Sequence, residues 1–433
     1  MELSAEQTKA LTDIETWFTT PGTPQIYRLF GYAGTGKTTL AKSIAAKFAK
    51  TILRPNKEGD LQPFSTVQFA AYTGKAALVM DRNGCKGART LHSLAYIPER
   101  DLYELKVSAL ETEAKEATPE RAKEIEAEIK TLLKESAGAG LSFVLNEMSD
   151  LTATDLLIID ECSMVNEEMA LDILSFEVKV LVLGDPAQLP PVGGEGYFIN
   201  VKPDTLLTKI HRQAEGNPII KLASDVRNYR GLKAGEFGDS AVIRQPTKDF
   251  RREQVLAADI CIVGKNATRL AFNKAIRAAK NLPDGEPTKG DKVICLRNTP
   301  DKKFINGAIY TVDMVGTDKH GFYELVLKAE GGATLKIDGV HPYHFQGIGL
   351  GKNGELTGAP TTLTTKEAND IHSKMKYAAY QFDFAYAITC HKSQGSQWDN
   401  VYIKDESAVF RDSSTKWLYT AITRAAKRVV VEV

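Results

Sequence analysis

The chain has 433 residues, which is too long for one ordinary domain and predicts two to four. Its 55 basic and 55 acidic residues cancel, which argues against a protein coated in nucleic acid but leaves room for a local basic channel. The 43% hydrophobic and 25% charged residues are typical of a globular protein with sizeable cores. We see no signal peptide and no membrane-spanning run, so we expect a cytoplasmic protein with no membrane partner.

Five cysteines are scattered along the chain and form neither a CxxC motif nor a zinc-ligand spacing. This scatter predicts buried free thiols in a reducing compartment. The cysteines are Cys85, Cys162, Cys261, Cys295 and Cys390.

Short β-branched or apolar runs alternate with helical patterns along most of the chain, which predicts parallel sheets with crossover helices. The predicted strands are Ile26–Phe30, Thr66–Tyr72, Leu156–Ile159, Lys179–Leu183, Asp259–Val263, Phe384–Ile388 and Val401–Ile403.

Residues 99–150 interrupt this alternation with a helical pattern. Thr118, Pro119 and Glu120 form a helix start, with a capping hydroxyl, a proline at the first position and an acid in the first turn. An apolar stripe at helical spacing follows, ending near Gly138; its members are Ile125, Ile129, Leu132 and Leu133. The segment predicts a helical hairpin inserted into the first α/β domain, and a solvated decoration without a role is an equal alternative.

Residues 282–345 change character again, beginning with a turn cluster at Leu282–Gly285. Short strand candidates separated by glycine-containing turns predict a small β-barrel inserted into the second α/β domain. These candidates are Lys292–Leu296, Ile309–Val315, Tyr323–Lys328 and Thr334–Ile337.

The segment from Gly31 to Thr38 reads GYAGTGKT and fits the phosphate-loop pattern GxxxxGK[ST]. It lies between a predicted strand and a helix-like segment, Thr38–Ala49, which is the context that the pattern needs. The glycines let backbone N–H groups wrap phosphates. Lys37 can reach the β- and γ-phosphates of ATP, and Thr38 can ligate Mg²⁺.

An acidic pair follows the apolar run Leu156–Ile159. Asp160 is predicted to hold the Mg²⁺ shell, and Glu161 to orient or deprotonate the attacking water. Gln188, in a proline-rich loop after Lys179–Leu183, is a candidate contact to the γ-phosphate; alone it would be read as an ordinary polar loop residue.

The order of these motifs resembles superfamily 1B helicases, in particular RecD-like enzymes of the small phage Dda type, over nearly the whole chain. It runs from Gln7 through GYAGTGKT, AYTGKAA, TLHS, DECS and GDPAQLPPV to a lone arginine, AITCHKSQG and YTAITRA. The resemblance implies an α/β fold with two RecA-like P-loop domains, ATP between them and single-stranded DNA across their tops. It implies a first RecA-like domain of residues 1–98 and 151–213, and a second of 214–281 and 378–433. Residues 99–150 would be a pin or accessory subdomain, and residues 282–377 an SH3-like β-barrel with a linker.

The resemblance also implies roles for individual residues at the ATP site. Gln7 would read adenine, and Arg212 and Arg424 would act as arginine fingers on the γ-phosphate. Gln394 and Gly395 would couple the ATP state to the DNA grip. The implied nucleotide-binding set is Gln7, Gly34, Thr35, Gly36, Lys37, Thr38, Thr39, Gln394 and Gly395.

For DNA, the resemblance implies phosphate contacts by hydroxyl, amide and ammonium donors. The implied residues are Tyr72, Thr73, Lys75, Thr90, His92, Thr389, His391 and Lys392. Many relatives carry proline where Tyr72 stands, and Tyr72 would stack a base or be a buried residue at a strand end. The three tryptophans, Trp17, Trp398 and Trp417, are predicted to be core residues.

The implied function is ATP-dependent unwinding of DNA with 5′-to-3′ movement on single strands, a polarity that comes from the resemblance alone. It would serve DNA replication, recombination or repair. Partners would be single-stranded and forked DNA, and a single-strand-binding protein or replisome component; we expect a monomer. A phage origin, favoured by the compact chain, would place it in the host cytoplasm.

The alternatives to duplex unwinding are a protein-stripping translocase, a P-loop switch and a nuclease. A translocating ATPase that strips proteins from DNA shares every motif and differs only in duplex opening. The sequence lacks the NKxD motif of a guanine-nucleotide switch, and it has no paired-carboxylate-plus-lysine site typical of a nuclease. The helical pattern of 99–150 departs from the β-hairpin pin of many relatives, so the form of the pin stays open.

Overall fold

The computed structural model describes residues 3–55, 60–115, 117–138, 143–190, 196–209, 216–297, 304, 306–318, 321–329, 332–350, 355–359, 362–377 and 380–433. The helices are α1 (Ala5–Thr19), α2 (Lys37–Phe48), α3 (Gly74–Arg82), α4 (Leu91–Ala95), α5 (Glu99–Ala114), α6 (Pro119–Gly138), α7 (Glu167–Leu174), α8 (Pro218–Arg227), α9 (Lys248–Ala257), α10 (Asn266–Ala279), α11 (Thr365–Tyr377), α12 (Cys390–Ser393) and α13 (Ser414–Ile422).

The strands are β1 (Ile26–Gly31), β2 (Thr51–Pro55), β3 (Leu61–Ser65), β4 (Val67–Ala71), β5 (Arg89–Thr90), β6 (Tyr96–Pro98), β7 (Phe143–Leu145), β8 (Leu156–Asp160), β9 (Lys179–Gly184), β10 (Thr205–Leu207), β11 (Gly235–Phe237), β12 (Ser240–Ile243), β13 (Ile260–Val263), β14 (Lys292–Cys295), β15 (Ile309–Thr317), β16 (Tyr323–Ala329), β17 (Thr334–Val340), β18 (Gly349–Leu350), β19 (Leu356–Thr357), β20 (Phe382–Phe384), β21 (Ala387–Thr389), β22 (Trp398–Lys404) and β23 (Ala425–Glu432).

Two parallel sheets form the frame of the molecule, as the alternation of strands and helices predicted. The first has the order β10-β1-β9-β8-β4-β5, and each of its pairings is parallel. The second has the order β11-β12-β23-β22-β13-β21 and is parallel except for the edge pair β11–β12. Strands β8 and β13 are buried along their apolar runs because helices cover both faces of such sheets.

Residues 99–138 form the predicted helical hairpin. Helices α5 and α6 pack against each other, and α6 begins at Pro119 and ends at Gly138, where the sequence placed its start and stop. Ile125 of the predicted apolar stripe is buried in this contact. The antiparallel ribbon β6–β7 closes the base of the hairpin and joins it to the first sheet's domain.

The second insertion contains a five-stranded antiparallel sheet in the order β17-β16-β15-β14-β20. Among the described residues its edge strands β17 and β20 do not pair with each other, so the closed SH3-like barrel stays a prediction.

The prediction of one strand over Phe384–Ile388 is wrong. Strand β20 ends at Phe384 and pairs with β14 of the inserted sheet, whereas β21 begins at Ala387 and pairs with β13 of the second parallel sheet. The buried side chain of Asn273 holds the break, because it bonds the carbonyls of Phe384 and Ala387 and accepts from the N–H groups of Tyr386 and Ala387. Strand β20 therefore belongs to the sheet of the inserted unit, although it lies beyond residue 378.

Core packing agrees with the composition. All five cysteines are buried and free, as predicted. Trp17 and Trp417 are buried in the two domain cores, whereas Trp398 is only partly buried and faces the first domain. Among the described residues, no helix combines the length and the apolar composition that crossing a bilayer requires.

Candidate active site and nucleic-acid interface

Because the first sheet is parallel, the candidate functional residues that follow its strands lie at one edge. The carboxyl ends of β1, β9, β8 and β4 lead into the phosphate loop, Asp185, Asp160 and Thr73, respectively. Ligands of open α/β sheets bind at this edge, where loops leave the strands.

The phosphate loop needs its glycines. Gly34 and Gly36 have φ angles of 82° and 78°, in the left-handed region that favours glycine. A Cβ on Gly31 would lie 2.5 Å from Thr35 Oγ1 and 2.9 Å from Leu207 Cβ, so a side chain there would displace the loop. Helix α2 starts at Lys37, which directs its N-terminus at the loop, as an anion site requires.

Two side chains of this loop make contacts that a nucleotide would alter. Lys37 Nζ donates to the carbonyls of Gly31 at 2.6 Å and Tyr32 at 3.3 Å. A phosphate in the loop would compete for this ammonium. Thr38 Oγ1 lies 3.4 Å from Asp160 Oδ2. A hydroxyl and a carboxylate are the hard oxygen ligands that Mg²⁺ prefers, so the pair fits the predicted metal role.

Asp160 ends β8, and Glu161 follows it in a left-handed conformation with a φ of 52°. The Glu161 N–H donates to Asp160 Oδ1 at 2.8 Å, which fixes the turn. Burial raises the pKa of Asp160, and burial likewise raises the pKa of Glu161, against the lowering effect of the Arg424 charge. A strained, desolvated carboxylate at this position suits a general base.

Arg424 reaches this carboxylate from the second domain. Its Nη1 lies 3.9 Å from Glu161 Oε1, and the residue is 5% exposed. The guanidinium also donates to the carbonyls of Thr420 at 3.1 Å and Ser396 at 3.2 Å, which orient it toward the cleft. The structure therefore brings together the predicted Glu161 and Arg424. Arg212, the other predicted finger, lies outside the described residues.

Gln188 and Gln394 meet at one loop. Gln394 Nε2 donates to the Leu189 carbonyl at 2.9 Å across the cleft. Among the described residues, the amide oxygens of both glutamines are buried without a hydrogen-bond partner. A buried unpaired acceptor is costly, so each is suited to accept from a group that enters the cleft.

Gln7 lies against the phosphate loop, 1% exposed. Its Nε2 donates to the Thr35 carbonyl at 3.2 Å, and its Oε1 accepts from the Ser4 N–H at 3.0 Å in a capping box. Adenine recognition would require this amide to exchange one of these bonds. Thr39 continues α2, where its carbonyl accepts from Ser43 Oγ at 3.4 Å.

The predicted DNA residues of the first domain stand at two helix N-termini. Thr73 caps α3 by accepting from the Ala76 N–H at 3.2 Å, and Thr90 caps α4 by accepting from the Ser93 N–H at 3.1 Å. Tyr72 is partly buried against the core of the first domain. Its ring meets His92 edge-on at 6.3 Å, and His92 is exposed.

Lys75 lies in the seam between the two domains, and its predicted DNA contact stays a prediction. It is 8% exposed, and its Nζ lies 4.4 Å from the ring centroid of Trp398 in the second domain. Gly395 of the second domain packs against the start of α3, because a Cβ there would lie 2.9 Å from Ala76 Cβ. In this conformation Lys75 therefore belongs to the seam between the domains and does not lie on an open DNA face.

The second domain places Thr389 and Lys392 in a cleft of about 250 Å³ shared with the inserted unit. Lys392 is exposed, and its Nζ donates to Asn306 Oδ1 at 3.0 Å. His391 lies farther back, its ring 5.6 Å from that of Phe410. Sequence reasoning missed the insert's share of this cleft and its basic neighbour Arg269, because no motif marks them.

The sequence analysis assigned no role to three further residues of the nucleotide cleft: Tyr419, Asp185 and Arg227. The Tyr419 hydroxyl bonds both the phosphate loop and Asp185, and Tyr419 and Asp185 both lie inside recognised sequence motifs. The guanidinium of Arg227 lies 3.6 Å from the ring centroid of Tyr32, and no sequence motif marks Arg227. Arg227, Tyr32 and Tyr419 line a cavity of about 120 Å³ between the phosphate loop and the second domain.

These features define a P-loop protein whose nucleotide cleft is shared by two parallel-sheet domains. The AAA domain family matches residues 2–245, more than half of the chain, and the UvrD-like helicase C-terminal domain matches residues 384–431. The chain belongs to the AAA domain family.

Two curated relatives illustrate the similarity. The ATP-dependent RecD2 DNA helicase of Deinococcus radiodurans is 27% identical over 299 residues, which are 63% of this chain and 36% of that protein. An uncharacterized protein of Acanthamoeba polyphaga mimivirus is 26% identical over 509 residues, covering 95% of this chain and 96% of that protein. The chain thus spans about a third of the length of the RecD2 enzyme.

Solved structures show the same fold. Bacteroides Pif1 bound to single-stranded DNA superposes with a TM-score of 0.52 at 20% identity, covering 99% of this chain and 92% of that one. A structure of two coordinating Pif1 helicases at forked double-stranded DNA gives a TM-score of 0.51 at 21% identity, with the same coverage.

Proposed function

We propose that the protein is an ATP-dependent DNA helicase that moves 5′-to-3′ along single-stranded DNA and unwinds duplexes. The observation that carries the proposal is the approach of Arg424 to Glu161, 3.9 Å apart and contributed by different domains. An ATPase whose site is completed by its second domain links each turnover to a relative movement of the two domains.

The chain's own residues divide the chemistry of turnover. Lys37 compensates phosphate charge, and Thr38 with Asp160 would hold Mg²⁺, which supplies further charge compensation when bound. Glu161 orients and deprotonates the attacking water, and Arg424 stabilises charge on the transferred phosphoryl group. By resemblance, Arg212 would assist Arg424, Gln188 would contact the γ-phosphate, and Gln7 would read adenine.

DNA is the proposed track because the domain tops carry donors suited to phosphates. Thr73, Thr90 and His92 in the first domain, with Thr389 and Lys392 in the second, would hold the strand on either side of the cleft. The named relatives support this track: the Deinococcus enzyme is a DNA helicase, Bacteroides Pif1 was solved bound to single-stranded DNA, and another structure concerns two coordinating Pif1 helicases at forked double-stranded DNA. If each domain binds the strand tightly in one state of the cleft and weakly in the other, opening and closing of the cleft moves the protein along the strand.

We further propose a monomeric motor, since one chain supplies both sides of the cleft. A single-strand-binding protein or replisome component is the expected partner.

The test is unwinding of partial duplexes that carry either a 5′ or a 3′ single-stranded tail, with ATP and Mg²⁺. Unwinding of the 5′-tailed substrate alone supports both the activity and its polarity. Lys37→Ala serves as the control, and it should lose ATP turnover by more than about 100-fold while still binding single strands.

Two outcomes would count against the proposal. Unwinding of the 3′-tailed substrate alone would overturn the polarity. DNA-stimulated hydrolysis without unwinding of either substrate would instead indicate a translocase that strips proteins from DNA. Shortening the α5–α6 hairpin then tests its role as a pin: we expect unwinding to fall while DNA-stimulated hydrolysis persists.

A further inference from the structure

The second domain touches the phosphate loop through one buried hydroxyl. Tyr419, on α13, is 2% exposed. Its hydroxyl accepts from the N–H of Ala33 at 3.0 Å and donates to Asp185 Oδ2 at 2.7 Å. One side chain therefore joins three elements: the phosphate loop, the loop after β9, and the helix that precedes Arg424.

Each donor in this contact faces an acceptor, and each acceptor faces a donor. The Asp185 carboxylate can only accept, the backbone N–H can only donate, and a phenol can do both at once. Burial keeps the pKa of Tyr419 well above its ordinary value, so the hydroxyl retains the proton that it donates. A phenylalanine would fill the same space but leave the Ala33 N–H and Asp185 Oδ2 without this partner in a closed cleft.

A second bond from the same helix reaches the same loop. Thr420 Oγ1 accepts from the Leu189 N–H at 2.9 Å. The Thr420 carbonyl in turn accepts from Arg424 Nε at 3.1 Å. Thr420 thus connects the two parts of this contact: its side chain docks α13 on the first domain, and its carbonyl holds the guanidinium that lies near Glu161.

We propose that Tyr419 is a positioning residue that docks α13 onto the phosphate loop and Asp185, and so sets Arg424 against Glu161. The inference rests on the proposed ATPase function and names the device that couples domain closure to it. When the domains separate, Ala33 and Asp185 lose their bonds to Tyr419 at the same time. The phosphate loop is therefore released in the same step in which Arg424 moves away from Glu161. Tyr419 itself does not act on the nucleotide.

The first test is hydrogen–deuterium exchange, which needs no activity. Tyr419→Phe should speed exchange in the peptide that contains Ala33. The matched control is Tyr402→Phe, another buried tyrosine of the second domain, whose hydroxyl bonds Glu432 within that domain. It should leave exchange at Ala33 unchanged. Equal protection of Ala33 in wild type and Tyr419→Phe would overturn the proposal.

The second test is the kinetics of DNA-stimulated ATP hydrolysis. Tyr419→Phe should lower kcat about tenfold while changing the ATP dissociation constant less than about twofold, because it acts on arginine placement. Added to Arg424→Ala it should cause no further loss. An additive loss, or a loss confined to ATP binding, contradicts a positioning role.

Asp185→Asn provides a second variant in case Tyr419→Phe folds poorly. It keeps an acceptor and the side-chain shape but removes the charge, so we expect a smaller fall in kcat in the same direction, and an unchanged kcat would contradict the proposal. A wild-type protein that hydrolyses no ATP would defeat the proposed function, whereas the exchange experiment would still decide the role of Tyr419.

Discussion

The guanidinium of Arg424 and the carboxylate of Glu161 lie 3.9 Å apart, although 263 residues separate them in the chain (424 − 161). The contact joins the end of a strand in the first sheet to the turn between α13 and β23 in the second. It places a cation of the second domain beside the carboxylate that we propose as the general base of the first.

Arg424→Ala should lower kcat for ATP hydrolysis by roughly 10³-fold, because an arginine finger acts mainly on the transition state. The ATP dissociation constant should change much less. Steady-state kinetics with an equilibrium titration of ATP separates the two effects. The control is Lys427→Ala, an exposed cation three residues away that pairs with Asp399. A variant that only binds ATP more weakly would show that the arginine is not a finger.

Single-strand binding should weaken steeply as salt rises, with a slope of about −0.7 in log K against log salt for each phosphate neutralised. Lys392→Ala should reduce that slope by about 0.7, because its ammonium lies at the cleft shared with the inserted unit and is proposed to neutralise one phosphate. Lys75→Met should leave the slope unchanged, since its ammonium lies over Trp398 in the interdomain seam. Fluorescence anisotropy at several salt concentrations measures both variants. An equal loss of slope in Lys75→Met would place that lysine on the DNA after all.

Arg277 holds the inserted unit to α10 through a buried ion pair. Its Nε and Nη2 bond the two carboxylate oxygens of Asp291 at 3.0 and 2.9 Å, and both side chains are almost fully buried. Arg277→Met should cost about 3–5 kcal/mol, because it leaves a buried carboxylate without its cation. Lys274→Met, on the same helix, removes an exposed pair with Asp284 and should cost about 0–1 kcal/mol. Urea unfolding compares them, and similar losses would contradict the buried-pair argument.

His341 should make the stability of the inserted unit depend on pH. Burial lowers its pKa to about 4 from an ordinary value of 6.5, with help from the charge of His344. Because the folded pKa lies below the unfolded one, the unfolded chain takes up the proton first, and stability falls as pH drops from 6.5 toward 4. Between pH 7 and pH 5 we expect a loss of about 2 kcal/mol from this group. Urea unfolding of His341→Gln should show a correspondingly flatter pH dependence, and an unchanged dependence would exclude this histidine as the cause.

Local chemistry made much of the nucleotide site predictable. The glycines of the phosphate loop, Lys37 and Thr38 stand in one continuous segment, so their spacing alone places them on one loop. The acidic pair Asp160–Glu161 follows an apolar run, which marks the end of a buried parallel strand. The helical hairpin was predictable for the same reason, since proline, glycine and apolar spacing act within a few residues.

Contacts between distant segments were not predictable in this way. One continuous run, Phe384–Ile388, had to serve two sheets, and the amide of Asn273 decided where it divides. Lys75 carries the charge expected of a DNA contact, yet its environment depends on Trp398, more than 300 residues away. The residues next to a lysine in the sequence do not show whether its ammonium will contact a DNA phosphate or an indole ring of the same protein.

The sequence by itself determined the phosphate loop, the acidic pair, the alternation of strands and helices, and the order of motifs that marks the family. Only the tertiary structure decided that Tyr419 joins Ala33 to Asp185 and that Arg424 reaches Glu161. The physical reason is that propensity, capping and loop geometry act over a few residues. Docking one domain on another depends on the summed packing of both, which no short pattern contains.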